Sequence, residues 1–282
     1  MRRPAGITII AAFATATATL VAQRPPAHPP VAMPPAHAAV RSQQAVPFAA
    51  GETLVYDVSW SSYLTAGRAS LSVVEQVRSG ASPLAYRLAA EGRPTELLST
   101  LYTLYYKVET RLDAFTLLPQ RASVYSEEGR RRRVKTATFD QARHTVTYEA
   151  GEPGKPARKQ VLEVPPLTQD ALSALYVLRA LRLTAGQRLS VPVVNEGELH
   201  RAALTTGARE PIQCGLGAVQ AMRIDITVTD AKGEPVARDM AVWLTTGKRQ
   251  VPVQMQAELA IGSFRLVLRE ARGLVREQAG VR

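Results

Sequence analysis

Apolar residues recur at every second position through most of this chain, and only one stretch breaks the rule. Residues 52–60 place Leu54, Tyr56, Val58 and Trp60 on one face, and a second strand led by Gly67 repeats the pattern with Ala69, Leu71 and Val73. Residues 84–90 form a third strand. In 101–112, Tyr102, Leu104, Tyr106, Val108, Thr110 and Leu112 share a face, opposite Thr103, Lys107, Glu109 and Arg111. Alternation of this kind predicts half-buried β-strands. Further strands are predicted over 117–126, 144–148, 187–194, 199–206, 221–229, 236–244, 251–255 and from Gly262. Within 236–244, Met240, Val242 and Leu244 share one face and Trp243 takes the other.

The exception is residues 168–183, predicted as an α-helix. Pro165 and Pro166 stop what precedes it, and Thr168 is the expected N-cap. Asp170 falls in the first turn and Arg179 and Arg182 near the far end, each suited to the helix dipole. Ala185-Gly186 supplies a terminator. Between Ala171 and Leu181 only Ser173 and Arg179 are polar. Apolar residues on every side predict a helix buried on most faces. The expected architecture is therefore mainly β: a strongly curved antiparallel sheet or open β-barrel wrapped around one apolar helix. A buried Arg179 needs a counter-charge, and Glu210 is the expected partner.

The ends of the chain read differently. Arg2 and Arg3 precede an apolar run through Phe13 to Val21, the form of a signal peptide over residues 1–22, with cleavage near Ala18 or Ala22. Retention as an uncleaved anchor is the alternative. Residues 24–47 contain seven prolines among alanines, so 23–47 is expected to be a disordered Pro/Ala-rich linker. One β-rich domain over 48–271 and a frayed tail over 272–282 complete the division. No later segment is long and apolar enough to span a bilayer. The expected location is the periplasm, soluble or peripherally bound to a membrane.

Charge and cysteine narrow the classes. The net charge is +11. The cations are spread over many strands, whereas nucleic-acid binders gather them in one stripe, so no nucleic-acid partner is expected. Cys214 is the single cysteine and permits no internal disulfide; it is read as a core residue. Arg130, Arg131, Arg132 and Arg133 follow a Glu128-Gly129 hairpin turn. They are read as a solvated hairpin tip or as a basic patch for polyanions or lipid headgroups. The four histidines are scattered, so no metal site is expected. No Gly-x-Ser-x-Gly elbow occurs, and no catalytic residue or cofactor is assigned.

Several short motifs resemble a bacterial family, domain of unknown function 3108. They are Phe48-x-x-Gly51-Glu52-x-Leu54-x-Tyr56, Leu118-Pro119, Thr168-Gln169-Asp170-x-Leu172-Ser173 through Tyr176 to Arg179, Arg209-Glu210 near Gly217, and Trp243-Leu244 before Val251-Pro252. Family members usually carry acidic residues after the Trp-Leu pair, where this chain has Thr246 and Gly247. The resemblance implies export and a β fold, and no reaction. Thr168, Asp170, Tyr176, Arg179, Glu210 and Trp243 are expected to be structural. Trp60, Tyr102 and Tyr106 are the candidate ligand-lining residues. The leading functional reading is a non-catalytic envelope protein that binds a lipid or glycan-like ligand or assists envelope assembly. A basic-surface scaffold that contacts a membrane complex or the cell wall, and a hydrolase acting on envelope polymers, are the alternatives.

Overall fold

A computed structural model describes residues 44–61, 64–79, 82–101, 103–259 and 262–275. The leader, nearly all of the linker, and Tyr102 lie outside the described residues. The strands are β1 (Thr53–Trp60), β2 (Leu64–Ser79), β3 (Ser82–Pro94), β4 (Leu104–Asp113), β5 (Pro119–Glu128), β6 (Arg131–Asp140), β7 (Thr145–Gly151) and β8 (Arg158–Glu163). They continue with β9 (Arg188–Asn195), β10 (Glu198–Cys214), β11 (Gly217–Thr229), β12 (Arg238–Thr245), β13 (Pro252–Leu259) and β14 (Gly262–Arg272). All pair antiparallel in one 14-stranded sheet, with β1 beside β14 and with β8 and β9 at the edges. The sheet is not closed by backbone hydrogen bonds.

Side chains cover the seam between the edges. Val194 and Leu199 pack with Phe139, Val146 and Leu162. The Lys135 ammonium contacts the Glu196 carboxylate across the gap. Gln169 bridges to β9 in parallel, donating to Pro192 O at 2.9 Å and accepting from Val194 N at 2.8 Å.

Two helices occur among the described residues, α1 (Glu96–Leu101) and α2 (Ala171–Ala180). The helix expected over 168–183 is therefore shorter. Its N-cap is Asp170, not Thr168: Asp170 Oδ1 accepts from Leu172 N at 3.0 Å and Ser173 N at 3.2 Å. Ser173 Oγ accepts from Asp170 N at 2.9 Å, which completes a capping box. Thr168 instead donates to Pro165 O, and Gln169 is engaged with β9, so neither residue is free to coil. At the other end Leu181 turns extended. Gln250 Nε2 donates to Arg179 O at 2.5 Å and Leu181 O at 2.7 Å, satisfying the last carbonyls well before Gly186.

Helix α1 corrects the strand expected from residue 101: the strand pattern holds only from Leu104. Thr95 Oγ1 lies 3.5 Å from Leu98 N at its start. The tail differs too. Leu274 packs on the core and Arg249 Nε donates to Val275 O at 2.8 Å, so residues 273–275 are held by the fold. At the opposite terminus the fold begins before residue 48, with Val46 against the core and Gln44 N donating to Ala114 O at 3.3 Å.

The main core joins Leu172 and Tyr176 of α2 to Phe48, Leu54, Tyr56, Val73, Leu88 and Leu112. Leu178 packs on a second cluster with Val193, Leu204, Ile224, Val242 and Leu244. Strand β12 is buried on both faces, because Ala241 and Trp243 join the main core while Val242 and Leu244 join the second.

Candidate ligand-binding mouth

The helix carries a buried polar knot. Arg179 and Glu52 are fully buried, joined by Nη1 to Oε1 at 2.6 Å and Nη2 to Oε2 at 2.9 Å. The expected partner Glu210 is not there. It accepts a hydrogen bond from Trp243 Nε1 instead. Glu52 lies next to Gly51, whose N–H bonds Val73 O at 2.8 Å, and this turn directs the carboxylate inward. Arg179 Nε donates to Gln250 O at 3.1 Å, and its guanidinium lies over the rings of Tyr176 (5.0 Å) and Phe48 (5.4 Å). Burial alone would lower the Arg179 pKa; the Glu52 carboxylate overcomes this and holds it raised. Burial pushes the Tyr56 phenol well above its ordinary value, with Arg179 opposing. Asp170 is likewise raised by burial, against hydrogen bonds from Ser173, Thr110 and Leu172. Both charges of the pair are enclosed and satisfied by each other.

The candidate lining residues lie elsewhere, where the core face of the sheet runs out. Along β1, Leu54 and Tyr56 are fully buried, Val58 is half-buried, and Trp60 is 41% exposed. Along β4 in the opposite sense, Leu112 and Thr110 are buried, Val108 is half-buried, and Tyr106 and Leu104 are 38% and 37% exposed. Residues two apart on a strand share a face, so these exposed side chains continue the core face to its open end. Phe264 of β14 stacks on Trp60, ring centroids 6.4 Å apart and 10° from parallel.

The register shows that Trp60 and Tyr106 occupy the same end of the sheet. Trp60 pairs with Leu64, Gly67 with Pro94, and Gly92 with Tyr106. On β5 and β6, Ser126 faces Tyr106 and Arg133, while Glu128 faces Leu104 and Arg131. Arg131 and Arg133 therefore stand on the same face as Tyr106, whose hydroxyl bonds Glu128. Arg132 takes the outer face and pairs with Glu127 at 3.2 Å. The four-arginine run is thus divided between two faces, with Arg130 in the turn. All four side chains are exposed. We call this end of the sheet, bordered by β1, β4, β6 and β14, the mouth.

Among the described residues, two hollows are lined by residues outside these four strands. One, of about 580 Å³, is lined by Ser190, His200 and Asp230 among others. Ser190 pairs with Ala203 and His200 with Val193. They stand three residues apart along the ladder on opposite faces, so they do not form a nucleophile–base pair. The other, of about 500 Å³, lies at the C-terminal end of α2 beside Arg182, Arg209 and Lys248, above Met222 and Leu244. Among the described residues no group of three or more His, Cys, Asp or Glu side chains is placed to hold a metal. No helix among them is long and apolar enough to cross a membrane. Cys214 is half-buried, carries a free thiol and packs against the core.

The family model for Protein of unknown function (DUF3108) matches residues 55–269. The chain belongs to the DUF3108 family. The family-like motifs meet in space: Phe48 and Glu52 from the first close on Tyr176 and Arg179 of the helix motif, and Tyr56 donates to Pro252 O at 2.8 Å. Among solved structures, the chain is similar to a β-barrel-like protein of domain of unknown function DUF1849 from Brucella abortus. The TM-score is 0.54 at 13% identity, covering 83% of this chain and 100% of that one. A "putative exported protein with YmcC-like fold" from Bacteroides fragilis aligns with a TM-score of 0.30 at 10% identity, over 82% and 100% of the two chains. No curated protein matches the sequence. The first structural likeness extends to the fold alone, a β-barrel-like sheet.

Proposed function

We propose that this DUF3108 protein is an exported, non-catalytic binding module of the cell envelope, whose mouth holds a lipid- or glycan-like ligand. On this reading residues 1–22 direct export, 23–43 space the domain from its point of attachment or release, and the sheet bends around α2, whose side chains fill the interior. The observation that carries it is the partial exposure of Trp60, Leu104 and Tyr106 at one end of a face whose residues further along β1 and β4 are core. Apolar and aromatic side chains left open at a barrel end, with a few polar groups beside them, are the usual lining of a small-ligand site. Arg131 and Arg133 on that face suit an anionic group on the ligand, and aromatic faces suit an acyl chain or a sugar ring.

Native mass spectrometry of protein purified without harsh detergent tests the proposal. The expected result is an adduct of lipid or oligosaccharide mass that is reduced in Tyr106→Ala. A clean apo mass across several mild detergents overturns it.

A further inference from the structure

The lip around the mouth carries apolar and cationic groups together. Helix α1 interrupts the chain between β3 and β4 at this end, tied by Thr95 N to Ala66 O at 3.0 Å, and leaves Leu97 73% exposed. The β5–β6 hairpin projects from the same end, held by Gly129 N to Thr103 O at 2.8 Å. From Trp60 on β1 to Arg131 on β6 there are five inter-strand steps, a span of roughly 24 Å. In that hairpin four guanidinium groups face two carboxylates. Glu127 is paired with Arg132, and Glu128 is bonded by Tyr106. Among the described residues no carboxylate lies within ion-pair distance of Arg130, Arg131 or Arg133.

We infer that this end of the sheet docks on an anionic lipid surface. The inference rests on the mouth being the ligand site and names where that ligand is met. Peripheral membrane binding combines burial of apolar side chains at the headgroup boundary with attraction of cations to anionic lipids. Leu97 supplies the inserting side chain and the arginine hairpin the attraction. Trp60 and Tyr106 belong to the residue types that settle at headgroup depth. An acidic protein partner would account for the arginines, but it would leave Leu97, Leu104 and Trp60 in water.

The test uses the full chain with phosphatidylcholine vesicles, with and without phosphatidylglycerol, and with brominated acyl chains. Trp60 and Trp243 are the two tryptophans, and Trp243 is only 3% exposed. The expected result is co-sedimentation with the anionic vesicles that weakens with salt, and bromine quenching that disappears in Trp60→Phe. Arg131→Ala and Arg133→Ala should each lower partitioning about fivefold. Leu97→Ser should lower it with the melting temperature unchanged. Equal binding to neutral vesicles, absent quenching, or variants that bind like wild type overturns the inference. So does binding of polyglutamate with no vesicle association, which points to an acidic protein partner. Leu97 lies outside the mouth, so Leu97→Ser separates the two readings. Vesicle docking with no native-mass adduct removes the ligand and keeps the docking; an adduct without docking does the reverse.

Discussion

Glu52 and Arg179, 127 positions apart in the chain, share two hydrogen bonds of 2.6 and 2.9 Å in complete isolation from solvent. One comes from the turn before β1 and the other from the last turn of α2, so the pair fastens the helix to the start of the sheet.

Removing one partner leaves the other as an uncompensated buried charge. Arg179→Met is expected to cost about 3–5 kcal/mol in urea unfolding. The double variant Glu52→Leu with Arg179→Met should recover much of that loss, because apolar replacement of both partners removes the desolvation penalty. If Arg179→Met alone unfolds at the wild-type midpoint, the pair does not hold the fold.

Asp170 gives a pH signature. Burial raises its carboxyl above the ordinary value despite the hydrogen bonds it accepts. A carboxyl raised in the folded state takes up a proton on folding. Its stabilising contribution is complete below the unfolded value and is lost as pH rises through the folded one. Asp170→Asn keeps an acceptor for Thr110 and the capped N–H groups but does not titrate. The stability of wild type relative to Asp170→Asn should therefore fall as pH rises through and above the carboxylate range. A difference that stays flat with pH, read by thermal melts, would show that Asp170 titrates no differently on folding.

Gly215 tests the approach of the β10–β11 turn to β14. Its N–H donates to Leu268 O at 2.6 Å, and a Cβ built there meets the Arg269 backbone carbonyl. Backbone cannot yield as a flexible side chain does. Gly215→Ala is expected to cost about 1–3 kcal/mol or more, the range for overpacking. Chemical denaturation measures it, and a neutral result would mean that the turn shifts freely.

The seam offers a contrasting case. Lys135 of β6 and Glu196, just past β9, meet across the seam, but Glu196 is half in water. Lys135→Met is expected to change stability by less than about 1 kcal/mol, because exposed pairs gain little over hydration. A loss as large as that of Arg179→Met would make the seam an electrostatic clasp, in place of an apolar one built on Phe139, Val146 and Val194.

Much of the fold was legible because strand periodicity is local. The alternation along residues 52–60 and 104–112 gave the core faces of β1 and β4 correctly, and the apolar helix appeared where its pattern changed. The errors have identifiable causes. Thr168 looked like a cap, yet its hydroxyl is taken by Pro165 O and Gln169 is drawn onto β9. The alternating positions 101–103 resembled strand, although Thr95 and Glu96, a capping residue and an acidic first turn, signalled α1. The arginine run was legible as an exposed hairpin tip, and the pairing of β5 with β6 adds which arginines share a face: Arg131 and Arg133 on one, Arg132 on the other.

Alternation, proline and glycine placement, and a single apolar stretch determined by themselves that this is a long, mainly β chain interrupted by an apolar helix near residues 171–180, because each reflects forces between near neighbours. The tertiary structure decided which carboxylate neutralises Arg179, where α2 stops, and at which end of the sheet Trp60 and Tyr106 come partly to the surface. Those outcomes depend on the register of fourteen strands. Register is set by contacts between residues far apart in the chain, and no local pattern encodes which distant carboxylate arrives first at a buried charge.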